Sequence, residues 1–189
     1  EEFDQDIMGE YTGAGVIFGA TGGVMEAALR TAYFALTGKE HEAIKFEEVR
    51  GMKGLKEATF NIAGKEIKVA IASGMRNAKV LLEQMRAGTS PYTFIEIMGC
   101  PGGCVNGGGQ PYVKPAFLPN EDADILDTYR DKRAQALYSE DERQAARQSH
   151  NNKQVQQLYK EFLGEPNSHK AHKLLHTSYK AKVRFPEEK

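Results

Sequence analysis

An α/β core followed by a run of helices is the fold class that the sequence predicts. Three observations predict it. Residues 59–72 alternate apolar and polar with the period of a strand pair. Segments of helical period lie on both sides of that pair. After Pro119 only the helical period remains.

The elements follow in order. Residues 22–36 read as a helix, with Val24, Ala28, Ala32 and Ala35 on one face and Gly38 as its stop. Residues 46–49 read as a short strand. Phe60 and Ile62, then Ile67, Val69 and Ile71, read as a β-hairpin around a turn at Ala63-Gly64. Residues 77–86 form a helix that stops at Gly88, and residues 92–98 form a strand with apolar Phe94, Ile95 and Ile97. Beyond Pro119, Ile125, Leu126, Tyr129 and Leu137 predict one helix, and Ser139 with Glu142 form a capping-box pair that starts another. Val155, Leu158, Tyr159, Phe162 and Leu163 keep i, i+3, i+4 spacing until Gly164 and Pro166. A last helix runs from about Ser168 and is expected to bury Ala171, Leu174 and Leu175. The organisation expected is an α/β lobe over residues 1–119 and a helical segment over residues 120–189.

The 189 residues suffice for one domain with a real core. A formal net charge of -1 gives no reason to expect a nucleic-acid or acidic-membrane partner. No apolar run approaches the roughly 20 residues that span a bilayer, and the opening residues are not expected to be a secretory leader. The opening Glu1-Glu2-Phe3-Asp4 has no Met. It is expected to be a break inside a longer protein or a processed start.

The two cysteines, Cys100 and Cys104, carry the chemistry. A disulfide across so short a loop would stabilise little, and the spacing has three residues between the cysteines, not the two of a thioredoxin-type motif. Metal binding is the stronger reading. The loop Gly99-Cys100-Pro101-Gly102-Gly103-Cys104 directly follows the predicted strand, where α/β folds build sites. Thiolates four positions apart can reach neighbouring corners of one iron–sulfur cluster. Glycines let the backbone approach a bulky anionic cofactor and aim bare N–H groups at it. Pro101 suits the first position of a helix, which would set Cys100 at a helix N-terminus. A zinc site shared with His169, His172 and His176 fits poorly, because only His172 and His176 share a helix face by spacing and structural zinc uses tighter spacings. The glycines at 13 and 15 do not make a dinucleotide motif, since the third position is Phe18.

The run Cys100-Pro101-Gly102-Gly103-Cys104-Val105-Asn106-Gly107-Gly108-Gly109-Gln110-Pro111 resembles the third signature motif of the iron-only (FeFe) hydrogenases. Residues 9–30, Val49-Arg50-Gly51 and the stretch from Leu158-Tyr159 through Leu174-Leu175-His176 are similar to that family as well. The resemblance implies a lobe of the hydrogenase catalytic domain: a small sheet flanked by helices, with a C-terminal helical wrap. It implies reversible reduction of protons to dihydrogen at an H-cluster, a 4Fe-4S cube joined by a cysteine sulfur to a two-iron unit with CO, CN and dithiolate ligands. By motif position Cys100 would ligate the cube. Cys104 would ligate the cube and bridge to the two-iron unit. Met98, Phe18 and Gly19 would line the pocket of that unit.

The family's other two motifs, which hold the remaining cube ligands and the proton-passing cysteine, are absent from this chain. The resemblance therefore implies a missing upstream half, in the same polypeptide or another chain, and an inactive chain by itself. It also implies ferredoxin or a similar electron carrier as partner. The helical tail on the same chain as Cys100 implies the cytoplasmic, single-chain type, because periplasmic members carry that tail on a separate small subunit. The alternative is a non-catalytic relative that binds iron–sulfur clusters for cluster assembly or hydrogen sensing. Residues 183–189 extend past the family pattern.

Overall fold

The computed structural model describes residues 9–40, 49–112 and 123–181. The chain divides into two compact units, Glu1–Asn152 and Lys153–Lys189.

The first unit is built on a three-stranded sheet in the order β1-β2-β3. β1 (Leu55–Ile62) and β2 (Lys65–Ser73) are antiparallel, and β3 (Phe94–Met98) runs parallel to β2. The hairpin turn is Ala63-Gly64, as the alternation predicts. Both residues have positive φ, +53° and +76°. This is the backbone of the two-residue turn that matches strand twist.

β2 is buried on both faces. Val69 and Ile71 pack with Met25, Leu29, Val49 and Ile62 on one side. Ala70 and Ala72 pack with Ala78 and Leu81 on the other. Two helices cover those faces: α2 (Gly23–Thr37) and α3 (Met75–Arg86). Gly38 ends α2 with φ +68°, as its sequence predicts.

The short α1 (Gly13–Val16) precedes α2, and Thr12 caps it by accepting the Gly15 N–H at 3.3 Å. The long α4 (Ala123–Arg143) closes the unit. α1 lies against the end of α4: Gly13 N–H donates to Ala146 O at 3.0 Å. A Cβ at Gly13 would fall 2.0 Å from Asp141 Oδ1, so this approach admits only glycine.

Several expectations are corrected. The face of α2 built from Val24, Ala28, Ala32 and Ala35 is its less buried side, and Ala35 is exposed. The helix buries Met25, Glu26, Ala27, Leu29 and Arg30 instead. Two of those are charged, which hides the face from an apolar periodicity. Ser139 and Glu142 start no new helix, because both lie inside α4, whose end is held by buried Asp141. The strand expected at 46–49 lies outside the described residues except for Val49, which is fully buried but not in a strand. The side chain of Ile125 also lies outside them.

The second unit carries α5 (Lys153–Leu158), a π-helical turn (Tyr159–Leu163) and α6 (His169–Leu175). Gly164 ends the π turn with φ +80°. Ser168 caps α6 by accepting the Ala171 N–H at 3.2 Å. Ala171 is buried as expected, but Leu174 and Leu175 are each 54% exposed. The three share one face of α6 by their i, i+3, i+4 spacing, but only Ala171 is covered.

Candidate metal centre

β2 and β3 end side by side, with Ser73 opposite Met98 in the parallel register. Both strands then turn at glycine. Gly74 (φ +84°) donates its N–H to Met98 O at 2.8 Å. β3 passes through Gly99 into the cysteine loop, so the loop sits at the C-terminal end of a parallel pair.

The backbone of that loop is a turn, not the helix start expected at Pro101. Cys100 O accepts the Gly103 N–H at 3.0 Å, and Gly102 has φ +83°. A proline followed by a positive-φ glycine gives a type II turn. Gly103 follows with φ +93° and ψ -157°, a region open essentially to glycine alone. Two successive glycines in such backbone cannot begin an α-helix, so Cys100 sits on no helix N-terminus. A 3₁₀ turn starts at Cys104 and runs to Asn106.

Three groups pin the turn. Ser73 spans it: its hydroxyl accepts the Gly102 N–H at 2.6 Å and donates to Cys100 O at 3.2 Å. Thr21 donates its N–H to Gly102 O at 3.0 Å. Arg133 of α4 donates to Val105 O at 3.0 Å and to Pro111 O at 2.7 Å. Val105 is buried with Ala20 and Ala134 and anchors the far side. The loop is thus fixed by its backbone, while both thiols stay outside. Cys100 and Cys104 are exposed, and neither is in a disulfide.

The glycine-rich segment before α2 closes on this loop. A Cβ at Gly103 would lie 2.8 Å from Gly19 O, 2.9 Å from Thr21 N and 3.0 Å from Met98 Sδ. Gly19, Met98 and the cysteine turn are therefore brought together. A Cβ at Gly19 would meet only the Leu137 Cδ1 methyl, at 2.7 Å, so a side chain there needs Leu137 to move. Phe18 is next to Gly19 in the chain and is 45% exposed.

Two buried charged groups hold these walls, and the sequence pattern missed both. Glu96, inside the apolar strand β3, is 6% exposed. Its carboxylate accepts the N–H groups of Gly22 at 2.6 Å and Met25 at 2.7 Å, the first turn of α2. Lys56 of β1 donates to Thr21 O at 3.1 Å and Gly51 O at 2.8 Å. Burial lifts the Glu96 carboxyl above its ordinary range, opposed by the two N–H groups and by the charge of Lys56. Burial also lowers Lys56 to about 8, opposed by Glu96. A glutamate between apolar strand residues, with a capless Gly-Gly helix start elsewhere in the chain, is the signal that could have paired them.

Behind the same wall lies a buried ionic network. Arg30 forks onto both oxygens of Asp141 at 2.8 Å each and bonds Glu26 at 2.7 Å. Arg50 also bonds Glu26 and stacks over the Tyr138 ring at 4.0 Å. Arg147 reaches Asp141 at 2.6 Å. Burial works against ionisation of Asp141, but the bonds from Arg30 and Arg147 and their charges outweigh it and hold its carboxyl below the usual range.

What can the arrangement hold? Two exposed, unbridged thiols flanking a Pro-Gly-Gly turn suit an iron–sulfur cluster as part of its ligand set. The rest is not supplied here. Cys100 and Cys104 are the only cysteines in the sequence, and among the described residues no three His, Cys, Asp or Glu side chains group to hold a metal. His172 and His176 do meet, Nδ1 to Nδ1 at 2.5 Å.

A turn with two free thiols at the end of a parallel strand pair, walled by a second glycine-rich segment, has the chemistry that the iron–sulfur class of protein uses. Comparison with known proteins narrows it. The family model "Iron only hydrogenase large subunit, C-terminal domain" matches residues 1–108, and "Iron hydrogenase small subunit" matches residues 127–182. The NADP-reducing hydrogenase subunit HndD of Solidesulfovibrio fructosivorans is 46% identical over 95% of this chain and 28% of its own length. Cytosolic iron-sulfur assembly component 3 of Mus musculus is 32% identical over 86% of this chain and 32% of its own. Among solved structures, a variant of the FeFe-hydrogenase HydA1 from Chlamydomonas reinhardtii superposes with a TM-score of 0.62 at 41% identity, over 94% of this chain and 49% of that one. The chain belongs to the iron-only hydrogenase family and corresponds to its C-terminal part. It spans less than a third of the curated relatives cited and about half of the solved hydrogenase.

Proposed function

We propose that this chain is part of an iron-only hydrogenase that interconverts protons and dihydrogen at an H-cluster. The observation that carries the reading is the pinned turn with two free, exposed thiols. Cys100 and Cys104 are the two residues of this chain that would hold the 4Fe-4S cube, and Cys104 would be the one shared with the two-iron unit. The cofactor, when bound, supplies the redox chemistry at iron.

The chain's own residues bind and shape. Ser73 and Thr21 fix the loop so that the thiols keep their spacing without a metal to arrange them. Gly102 and Gly103 keep side chains off the cluster. Met98, Gly19 and Phe18 form an apolar wall that excludes water from the reactive iron. The glycine-rich backbone gives N–H donors to cyanide ligands. The remaining cube ligands and the proton path come from the part of the hydrogenase that this chain does not contain. The partner that fits this reading is ferredoxin or a similar electron carrier, with the cube, when bound, supplying the one-electron redox chemistry. A cytoplasmic, single-chain enzyme is the arrangement proposed. It is supported by large-subunit and small-subunit family matches on one polypeptide.

Matured full-length hydrogenase containing this chain should show infrared bands of iron-bound CO and CN. Cys104→Ser should abolish hydrogen evolution and those bands. Full activity in that variant would sink the assignment. Bound iron without CO and CN bands in matured wild type would favour the assembly or sensing relative.

A further inference from the structure

We infer that Glu96 is the positioning residue that sets the register between the two walls of the cofactor pocket, by clamping the start of α2 to the strand that delivers the cysteines. This rests on the hydrogenase reading of the site.

The clamp is visible in the bonding. Helix α2 starts at Gly22-Gly23 with no side-chain cap of its own. Its N-terminus is left with unpaired N–H groups and a partial positive charge. Glu96 supplies the missing acceptor from another element: one oxygen takes Gly22 N–H at 2.6 Å, the other takes Met25 N–H at 2.7 Å. Both bonds are buried and charge-assisted, the strong class. Nothing else can move into this space cheaply. A Cβ at Gly22 would fall 1.9 Å from Val49 O, and one at Gly23 would fall 1.7 Å from Ile17 O.

The consequence follows from where Glu96 sits. Met98 and Cys100 follow it on the same strand and turn. Gly19, Ala20 and Thr21 lead directly into the helix start it holds. Thr21 N–H then reaches Gly102 O at 3.0 Å, and the space between Gly103, Gly19 O and Met98 Sδ admits no methyl group. The segment 19–25 is therefore held at two points by one continuous stretch, 96–103. The cysteine turn is one point and Glu96 is the other. Lys56 braces the same segment through Thr21 O. Losing one Glu96 bond frees the Phe18–Gly19 wall to shift against the cysteines, without touching a ligand.

Glu96→Gln tests this in the full-length hydrogenase. An amide presents one acceptor and one donor, so it keeps one N–H partner and repels the other. In cofactor-free protein, hydrogen exchange at the Gly22 and Met25 amides should speed up tenfold or more. In matured protein, iron content should stay at the wild-type value, the CO and CN bands should shift or broaden, and kcat should fall about tenfold with KM for the electron donor unchanged. Glu96→Asp keeps the charge but shortens the reach, and should give intermediate exchange and band shifts. A silent Glu96→Asp beside a perturbed Glu96→Gln would make the effect one of charge and overturn the positioning role. Wild-type exchange and wild-type bands in Glu96→Gln would overturn it as well. If Glu96→Gln does not accumulate, Glu96→Asp alone decides, and unchanged exchange and bands there overturn the proposal. Absence of CO and CN bands in the unsubstituted matured protein would instead sink the hydrogenase reading, while the exchange result would still judge the clamp.

Discussion

Gly103 shows how much of the site rests on single atoms. It occupies backbone that costs other residues about 1–3 kcal/mol, and its missing Cβ is what lets Gly19, Thr21 and Met98 close around the turn. Gly103→Ala should therefore lose stability by at least that amount in chemical denaturation, and should reduce iron bound per full-length molecule; wild-type iron loading would show that the close approach is dispensable. Lys56 gives a second residue-scale test. Its folded pKa of about 8 lies below the ordinary 10.5. The unfolded chain thus holds more protons between pH 8 and 10.5, and the contribution of Lys56 to stability rises with pH across that window and is lost as pH falls toward 8. The neutral amine still has two N–H donors for Thr21 O and Gly51 O. Urea unfolding should show wild type gaining on Lys56→Met from pH 8 to 10.5; a flat difference would deny the shift. The sequence located the turn that exposes both cysteines after β3, because two thiols among glycines stand out there, but not its type II backbone. Ser73, Lys56 and Glu96 were not legible, because a polar residue in a strand looks like a surface position until its partner, some 30 to 70 residues away, is known.

At the scale of elements, periodicity served where burial is apolar and failed where it is ionic. The β2 alternation and the stops at Gly38 and Gly88 were readable in the sequence. The buried face of α2 was not, since Glu26 and Arg30 occupy it. Those charges do structural work: Arg30 ties α2 to Asp141 at the end of α4. Arg30→Met would leave Glu26 and Asp141 with fewer partners in a buried setting, and breaking such a network typically costs about 3–5 kcal/mol. The unfolding midpoint should drop accordingly, and a loss under 1 kcal/mol would mean that Arg50 and Arg147 suffice. The hairpin turn offers the opposite sign. Ala63 has φ +53°, a conformation that Asn and Gly adopt readily and Ala does not. Ala63→Asn creates the preferred Asn-Gly pair and should stabilise by about 0.5–1 kcal/mol, measured by the same denaturation; destabilisation would contradict the turn geometry.

Ligand arithmetic governs the whole molecule. A four-iron cube takes four protein thiolates in its usual form, and the sequence holds two cysteines. The second unit adds exposed His172 and His176, but among the described residues no third ligand joins them. Ser73, Thr21 and Arg133 bond the backbone of the cysteine turn, so its fold is expected to persist without metal. A preformed half-site should therefore keep its shape yet bind iron weakly, as two thiolates alone cannot satisfy a cube's corners. Anaerobic reconstitution of this chain alone should give well under four irons per molecule and no stable cubane signal by electron paramagnetic resonance. The full-length hydrogenase under the same conditions should hold its cube. A stoichiometric four-iron cluster on the isolated chain as a monomer would mean that ligands other than these two cysteines complete the site, and the division of the cluster between two halves of the domain would have to be abandoned.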